Sequence, residues 1–410
     1  MDSQSPAYVK CRGTDNMSSA AKEKNMDLNL TQEQEMLRQS VREFAEGEIA
    51  PKCEELDIKE EFSYDLTKKM AELGLFGITV DPKYGGQGMD YLSYAIIVEE
   101  LARVSGSQAA TVAAENSLGI GPIFRFGSEA QKQKYLPDLC AGKKLWGFGL
   151  TEPDAGSDAG GTKTNAELKG GKWTINGSKI FITNAANDMT AGVTVQTVTG
   201  KRGDGKKEMS CIIVDSGTKG FTAKAMHKKM LWRASNTAEL YFSDVEVPEE
   251  NLLGKRGDGF KLMLETLDSG RLAIAAMGLG GAQGAFEAAL KYGKQRKQFG
   301  SPISTFQVNA FKLADCATKI EAARSLLYKA CWLKDNHKPF SKEAAMAKLY
   351  CSEVMHEVAN HAVQIHGGYG CMEEYPVARF YRDAKLLEIG EGTSEIQRLV
   401  ISRAIGCYDV

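Results

Sequence analysis

The chain is short of the features that mark several protein classes. None of its nine cysteines forms a CxxC pair, and an odd count suits reduced thiols in a reducing compartment better than a disulfide framework. Histidine is scarce, with five in all. Three of them, His356, His361 and His366, follow one another at steps of five, a spacing that does not set ligands on one helical face, so no metal site is expected. No run approaches the ~20 apolar residues of a membrane-crossing helix. Neither sign of charge dominates: 51 Lys+Arg stand against 53 Asp+Glu, interspersed, for a formal net charge of −2. That balance excludes the basic stripe of a nucleic-acid surface. Residues 1–25 carry neither the apolar core of a secretory signal nor the Arg-rich character of a transit peptide. They are expected to be a disordered extension or tag, with folding starting near Met26. The expected location is the cytoplasm, or the mitochondrial matrix if the source is eukaryotic.

What is present is ordinary for a globular enzyme: 410 residues, 43% hydrophobic and 25% charged, enough for two or three packed units. Thr31 with Gln34 reads as a capping box. Leu37, Val41, Phe44, Ala45 and Ile49 then mark one apolar face, until Pro51 ends that helix or begins the next. Helical patterns follow near 64–73, 91–104 and 129–138. From about Trp146 the chain turns rich in Gly, Thr, Ser and Asn, and its apolar residues alternate. Trp173 and Ile175 precede an Asn176-Gly177 signal, with Ile180 and Ile182 after it, which predicts a hairpin. Beyond GKRGDGF the helical period returns at roughly 259–295, 306–335 and 341–366. The small, apolar segment LAIAAMGLGGAQGAFEAAL is interrupted by Gln283 and Glu287 and reads as close helix packing inside a bundle. Gly278, Gly280 and Gly284 miss the dinucleotide fingerprint, because Gln283 sits where the third glycine belongs and no strand precedes them.

Several segments carry candidate chemistry. Glu391 lies in LLEIGEGTSEIQR beside Gly392, whose freedom lets a carboxylate approach a ligand closely; it is the candidate catalytic base. FGLTEPDAGSD offers backbone N–H groups suited to an electron-rich ring edge or an anion, though a plain turn reads equally well. Phe181 is placed on a strand to cover a planar group whose rim Thr183 bonds; core packing is the bland alternative. Arg296 in RKQFG is fit to pair with a pyrophosphate, and QIHGGYG ends a helix on glycines that admit a close neighbour, while simple helix ends explain both as well.

Taken in order, FGLTEPDAGSD, KIFITN, RKQFG, QIHGGYG, YPVARFYRDAK and IGEGTSEIQR resemble the acyl-CoA dehydrogenase family of flavoproteins from about Leu30 to the C-terminus. The resemblance implies an α+β fold: an N-terminal helical domain over 26–146, a central antiparallel β barrel over 147–255 and a C-terminal four-helix bundle over 256–410. It implies a homotetramer with one FAD per subunit. Leu150, Thr151, Ser157, Phe181 and Thr183 would meet the flavin, and Arg296, Phe299, Gln307, Gln364 and Gly368 would hold the adenine dinucleotide half across a subunit interface. Thr393 and Glu395 would add to the FAD site of their own subunit, while Ser157, Asp268, Arg271, Glu391 and Gly392 would line the acyl-CoA site. The implied reaction takes the α-proton onto Glu391 and the β-hydrogen as hydride to flavin N5. It yields a trans-2-enoyl-CoA and passes electrons to an electron-transferring flavoprotein. The same site run as an enoyl-CoA reductase in an anaerobe, or a non-catalytic assembly protein of this fold, are the alternatives.

Some family members carry the base one residue before the position matching Arg271; here that residue is Gly270. Gly390 replaces an aromatic and opens space beside the thioester. Leu231 and Cys371 depart from the family pattern. Glu115, in AAENSLG, is read either as a solvated helix-end residue or as an anion that repels dicarboxylyl thioesters such as glutaryl-CoA.

Overall fold

Thr31 starts the first helix as its sequence proposes: its Oγ1 accepts from the Gln34 N–H at 3.2 Å, and the Gln34 side chain accepts from the Thr31 N–H at 3.1 Å. The computed structural model describes residues 26–408, so the expected extension over 1–25 lies outside the described residues. The N-terminal region holds α1 (Gln32–Phe44), α2 (Cys53–Lys59), α3 (Tyr64–Glu72), α4 (Tyr91–Ala102), α5 (Gly106–Ala114), α6 (Gly121–Phe126) and α7 (Glu129–Cys140). Pro51 sits in the short 3-10 turn just before α2, where its missing N–H costs nothing. The stretch through α5 and α6 had no helical signal in the sequence. Every residue from Gly106 to Ala113 is buried, so no polar face exists to give it a period.

The central unit is one eight-stranded sheet: β1 (Leu145–Gly149), β2 (Asn165–Lys169), β3 (Lys172–Thr183), β4 (Thr190–Lys201), β5 (Lys207–Asp215), β6 (Phe221–Ala225), β7 (Thr237–Pro248) and β8 (Leu252–Leu253). Its order is β6-β7-β3-β2-β4-β5-β8, with β1 also on β4. Most pairings are antiparallel, but β1 and β2 run parallel to β4. A purely antiparallel unit is therefore corrected; the excursion between β1 and β4 is long enough for a parallel crossover. Trp173, Ile175, Val193, Val195, Leu240 and Phe242 fill a core of their own.

The Asn176-Gly177 hairpin is also corrected. Both residues lie inside the single strand β3, whose pairing with β7 shifts register between Ile175 and Gly177, while the turn falls at Gly170-Gly171. Gly177 is required by a close approach: at φ 143° its β-carbon would lie 2.5 Å from Thr164 Oγ1.

The C-terminal region is α8 (Gly259–Gln295), α9 (Gln307–Asp335), α10 (Ser341–His366), α11 (Pro376–Ile389) and α12 (Ser394–Ala404). A two-stranded pair, Lys297–Gln298 and Ser301–Pro302, links α8 to α9. The small-residue stretch of α8 does what close packing demands. A β-carbon at Gly280 would stand 2.1 Å from the Glu99 carbonyl of α4, and one at Gly278 would stand 2.8 Å from the Cys351 carbonyl of α10. α8 thus lies in backbone contact with both neighbours, and the carboxyl-bearing loop between α11 and α12 packs against it.

Candidate active site

After α11 the chain extends at Gly390 and then enters the left-handed region twice, at Glu391 (φ 52°) and Gly392 (φ 94°). That conformation is strained for a glutamate and persists only where its surroundings hold it. Lys348 Nζ, from α10, donates to the Gly392 carbonyl at 2.7 Å, and Gln397 Nε2 donates to the same oxygen at 2.9 Å and to the Glu391 carbonyl at 3.3 Å. Thr393 closes the loop by capping α12, accepting from the Ile396 N–H at 3.3 Å.

The held side chain points at α8. A β-carbon built on Gly270 would come 1.8 Å from Glu391 Oε2, so glycine leaves the space the carboxyl fills. Oε2 is fully buried and has no hydrogen-bond partner. Burial raises the carboxyl from its ordinary 4.5 to about 7, while the Lys348 and Arg271 cations pull the other way. The Glu391 N–H donates to no group among the described residues. Arg271 is buried, with Nη1 2.5 Å from Asp268 Oδ1 and Nε unpartnered. A poised carboxylate beside a free backbone donor is equipped to take a proton from carbon next to a carbonyl.

The Thr151–Asp158 loop is fastened from beneath. Lys179 and Glu152 form a buried pair, Nζ to Oε1 2.7 Å, and Lys179 also donates to the Leu150 carbonyl at 3.0 Å. Glu152 accepts from the Lys163 and Thr164 N–H groups, and the Ile180 N–H donates to the Thr151 carbonyl at 2.9 Å. Burial pulls the Lys179 ammonium down to about 8. Just beyond, β3 loses register between Lys179 and Ile182, and Phe181 turns left-handed at φ 63°. The bulge re-aims the ring outward, leaving Phe181 62% exposed, with Thr183 half-buried two residues on. Ser157 is exposed on the loop. An outward-facing aromatic with a hydroxyl at its side and a rigid loop nearby fits a planar, polar-rimmed ring such as a flavin.

The remaining candidates fall into a second group. Arg296 and Gly368 line one open recess of about 570 Å³ with Tyr292, His366 and Tyr369. Phe299, at φ 49°, is 94% exposed, and Gln307 at the start of α9 and Gln364 at the end of α10 are exposed as well. The recess shares no lining residue with the surroundings of Glu391. Glu395 lies exposed in the first turn of α12.

Glu115 is not solvated. It is fully buried, with Oε2 accepting from the Trp146 N–H at 2.9 Å and from Asn184 Nδ2 at 3.4 Å, and burial raises it to about 8. It ties the helical region to the sheet and is protonated at neutral pH, which removes the basis for repelling a dicarboxylyl thioester. Lys348, Gln397 and the Lys179–Glu152 pair were not among the sequence candidates. Lys348 had one legible signal: it stands among Ala344, Ala345, Ala347, Cys351 and Ser352, on a face with nothing to solvate it.

Helical regions flank a sheet, with a desolvated carboxylate in the C-terminal one and a presented aromatic on strand β3 of the sheet, an arrangement that fits a flavin-dependent dehydrogenase. Models of the acyl-CoA dehydrogenase N-terminal, middle and C-terminal domains match residues 31–143, 147–245 and 257–406: the chain belongs to the acyl-CoA dehydrogenase family. It is therefore an FAD-dependent oxidoreductase that dehydrogenates acyl-CoA. A probable acyl-CoA dehydrogenase of Bacillus subtilis is 53% identical over 93% of this chain and 100% of its own. The structure of butyryl-CoA dehydrogenase from Megasphaera elsdenii is similar at TM-score 0.89 and 46% identity, covering 93% of this chain and 100% of that one. A chain solved in work on the electron transferring flavoprotein of Acidaminococcus fermentans and flavin-based electron bifurcation is similar at TM-score 0.89 and 48% identity, covering 93% and 99%.

Proposed function

We propose that the protein converts a short-chain acyl-CoA to the trans-2-enoyl-CoA, with Glu391 as the base that takes the α-proton. The observation that carries this is the Glu391 carboxyl itself, desolvated against Gly270 and raised to about 7, so that it is ionised enough to act and basic enough to accept. The free Glu391 N–H is fit to donate to the thioester carbonyl, stabilising the charge that develops there as the α-proton leaves. Asp268, Arg271 and Gly392 line the acyl-CoA site around that point, and Ser157 reaches it from the loop. FAD, when bound, supplies the acceptor for the β-hydrogen. Leu150, Thr151, Ser157, Phe181 and Thr183 hold its ring, with Thr393 and Glu395 contributing from the same subunit. Arg296, Phe299, Gln307, Gln364 and Gly368 hold the adenine dinucleotide half bound to a second subunit of a homotetramer. The exposure of Phe299 supports that reading, since so bare an aromatic suits cover by another molecule.

The short-chain assignment is supported by the likeness to butyryl-CoA dehydrogenase, and an electron-transferring flavoprotein as electron acceptor by the likeness to the Acidaminococcus chain. Gly390 leaves room beside the site, because a β-carbon there would meet only Leu386 within 4 Å; branched or cyclic acyl groups are therefore tolerated. Anaerobic titration of the FAD-replete protein with butyryl-, isobutyryl-, cyclohexanecarbonyl- and glutaryl-CoA, followed by flavin absorbance, tests the reading. Butyryl-CoA bleaches the flavin; absence of bleaching with the whole panel overturns it.

A further inference from the structure

An ammonium buried in a helix of alanines needs a reason. Lys348 is 0% exposed, flanked by Ala344, Ala345, Ala347 and Cys351 on the buried face of α10, and its one hydrogen bond runs to the Gly392 carbonyl at 2.7 Å. Holding that carbonyl does not by itself require a charge, because the neutral Gln397 amide already donates to the same oxygen at 2.9 Å. A lysine in this place adds what an amide cannot, a full positive charge within coulombic reach of the Glu391 carboxylate. Its desolvation is costly unless an anion compensates for it.

We propose that Lys348 is a positioning residue for the base: through the Gly392 carbonyl it fixes the left-handed Glu391–Gly392 pair, and its charge keeps the Glu391 carboxyl ionised enough to act. This rests on Glu391 being the base. The charged and titratable groups around that carboxyl are Lys348 from α10, Arg271 from α8 with its partner Asp268, and the Tyr94 hydroxyl from α4. Glu388 of α11 and Glu395 of α12 also act on the lysine, each less than Glu391 does. Arg271 is partly neutralised by its ion pair with Asp268, whereas Lys348 is in ion-pair contact with no carboxylate among the described residues and acts most strongly on Glu391. Burial holds Lys348 down to about 8, so it is still mostly charged at neutral pH, where the carboxyl titrates.

The test is the pH profile of single-turnover flavin bleaching by butyryl-CoA in FAD-replete wild type, Lys348→Met, Lys348→Arg and Glu391→Gln. The rate requires the ionised base, so it rises with pH along an acidic limb set by that carboxyl. Removing a nearby cation raises its pKa, and the limb of Lys348→Met moves up by about one pH unit or more. Its rate is then depressed about tenfold or more well below the limb and recovers toward high pH, while Lys348→Arg keeps the wild-type limb. A purely structural lysine would instead lower the rate by the same factor at every pH, and a Lys348→Met limb coincident with wild type overturns the proposal. If the Met variant does not accumulate, Lys348→Gln, which keeps a donor but no charge, is held to the same criterion. Unimpaired bleaching by Glu391→Gln is a different failure, because it removes the base assignment itself.

Discussion

Replacing Glu115 by glutamine should stabilise the protein, and by an amount that depends on pH. The unfolded carboxyl ionises near 4.5, whereas the folded one, fully buried between α5 and the sheet, stays protonated to about 8. Between those values the folded chain holds a proton that the unfolded chain has released, so wild-type stability falls as pH rises. The slope is about 1.4 kcal/mol per pH unit for one group, or about 3 kcal/mol between pH 5 and pH 7. Glutamine does not titrate. Its carbonyl can accept from the Trp146 N–H and Asn184 Nδ2 as the carboxyl does. Thermal unfolding of Glu115→Gln and wild type from pH 5 to pH 8.5 makes the comparison, and every other titrating group cancels in the difference. The gap in Tm in favour of Glu115→Gln should widen steadily toward pH 8. A gap that does not change with pH would refute the reasoning, because it would mean that Glu115 ionises in place at its ordinary value.

Two further substitutions separate stability from cofactor binding. Lys179→Met leaves the Glu152 carboxylate buried without its counter-ion and the Leu150 carbonyl without its donor, a loss of about 3–5 kcal/mol. Thermal scans with and without added FAD should show a lower Tm in both and a smaller rise on adding FAD; unchanged melting contradicts the assigned role. Phe181→Ala removes a ring that is 62% exposed, so unfolding in the absence of FAD should change by about 0.5 kcal/mol or less. FAD affinity, measured by fluorescence titration, should fall several-fold, because aromatic contacts are worth about 0.5–1.5 kcal/mol beyond the area they cover. Equal affinity would remove Phe181 from the flavin site.

The long helices were legible from the length of their uninterrupted helix-forming runs and from the glycine, proline or serine near their ends: α8, α9 and α10 lie within a residue of where the pattern put them. α5 is only nine residues long and buried along its length, so neither an extended run nor a polar face marks it. Asn176-Gly177 misled because the glycine answers a tertiary demand, room for Thr164, and not a turn. At the site, Glu391 stands out by its Gly-flanked loop together with the motifs around and upstream of it; of the groups that hold that loop, Thr393 and Gln397 are local, whereas Lys348 is not. Lys348 is 43 residues upstream of Glu391, and a single lysine in a helix ordinarily reads as a solvated one. Glu115 shows the same limit, since nothing local distinguishes a buried carboxyl from an exposed one.

The proposed chemistry turns on Glu391. Rapid mixing of FAD-replete Glu391→Gln with butyryl-CoA under anaerobic conditions should leave the yellow spectrum and FAD content intact while slowing bleaching by about 10²- to 10⁴-fold, the usual worth of a general base. Bleaching at the wild-type rate would contradict it.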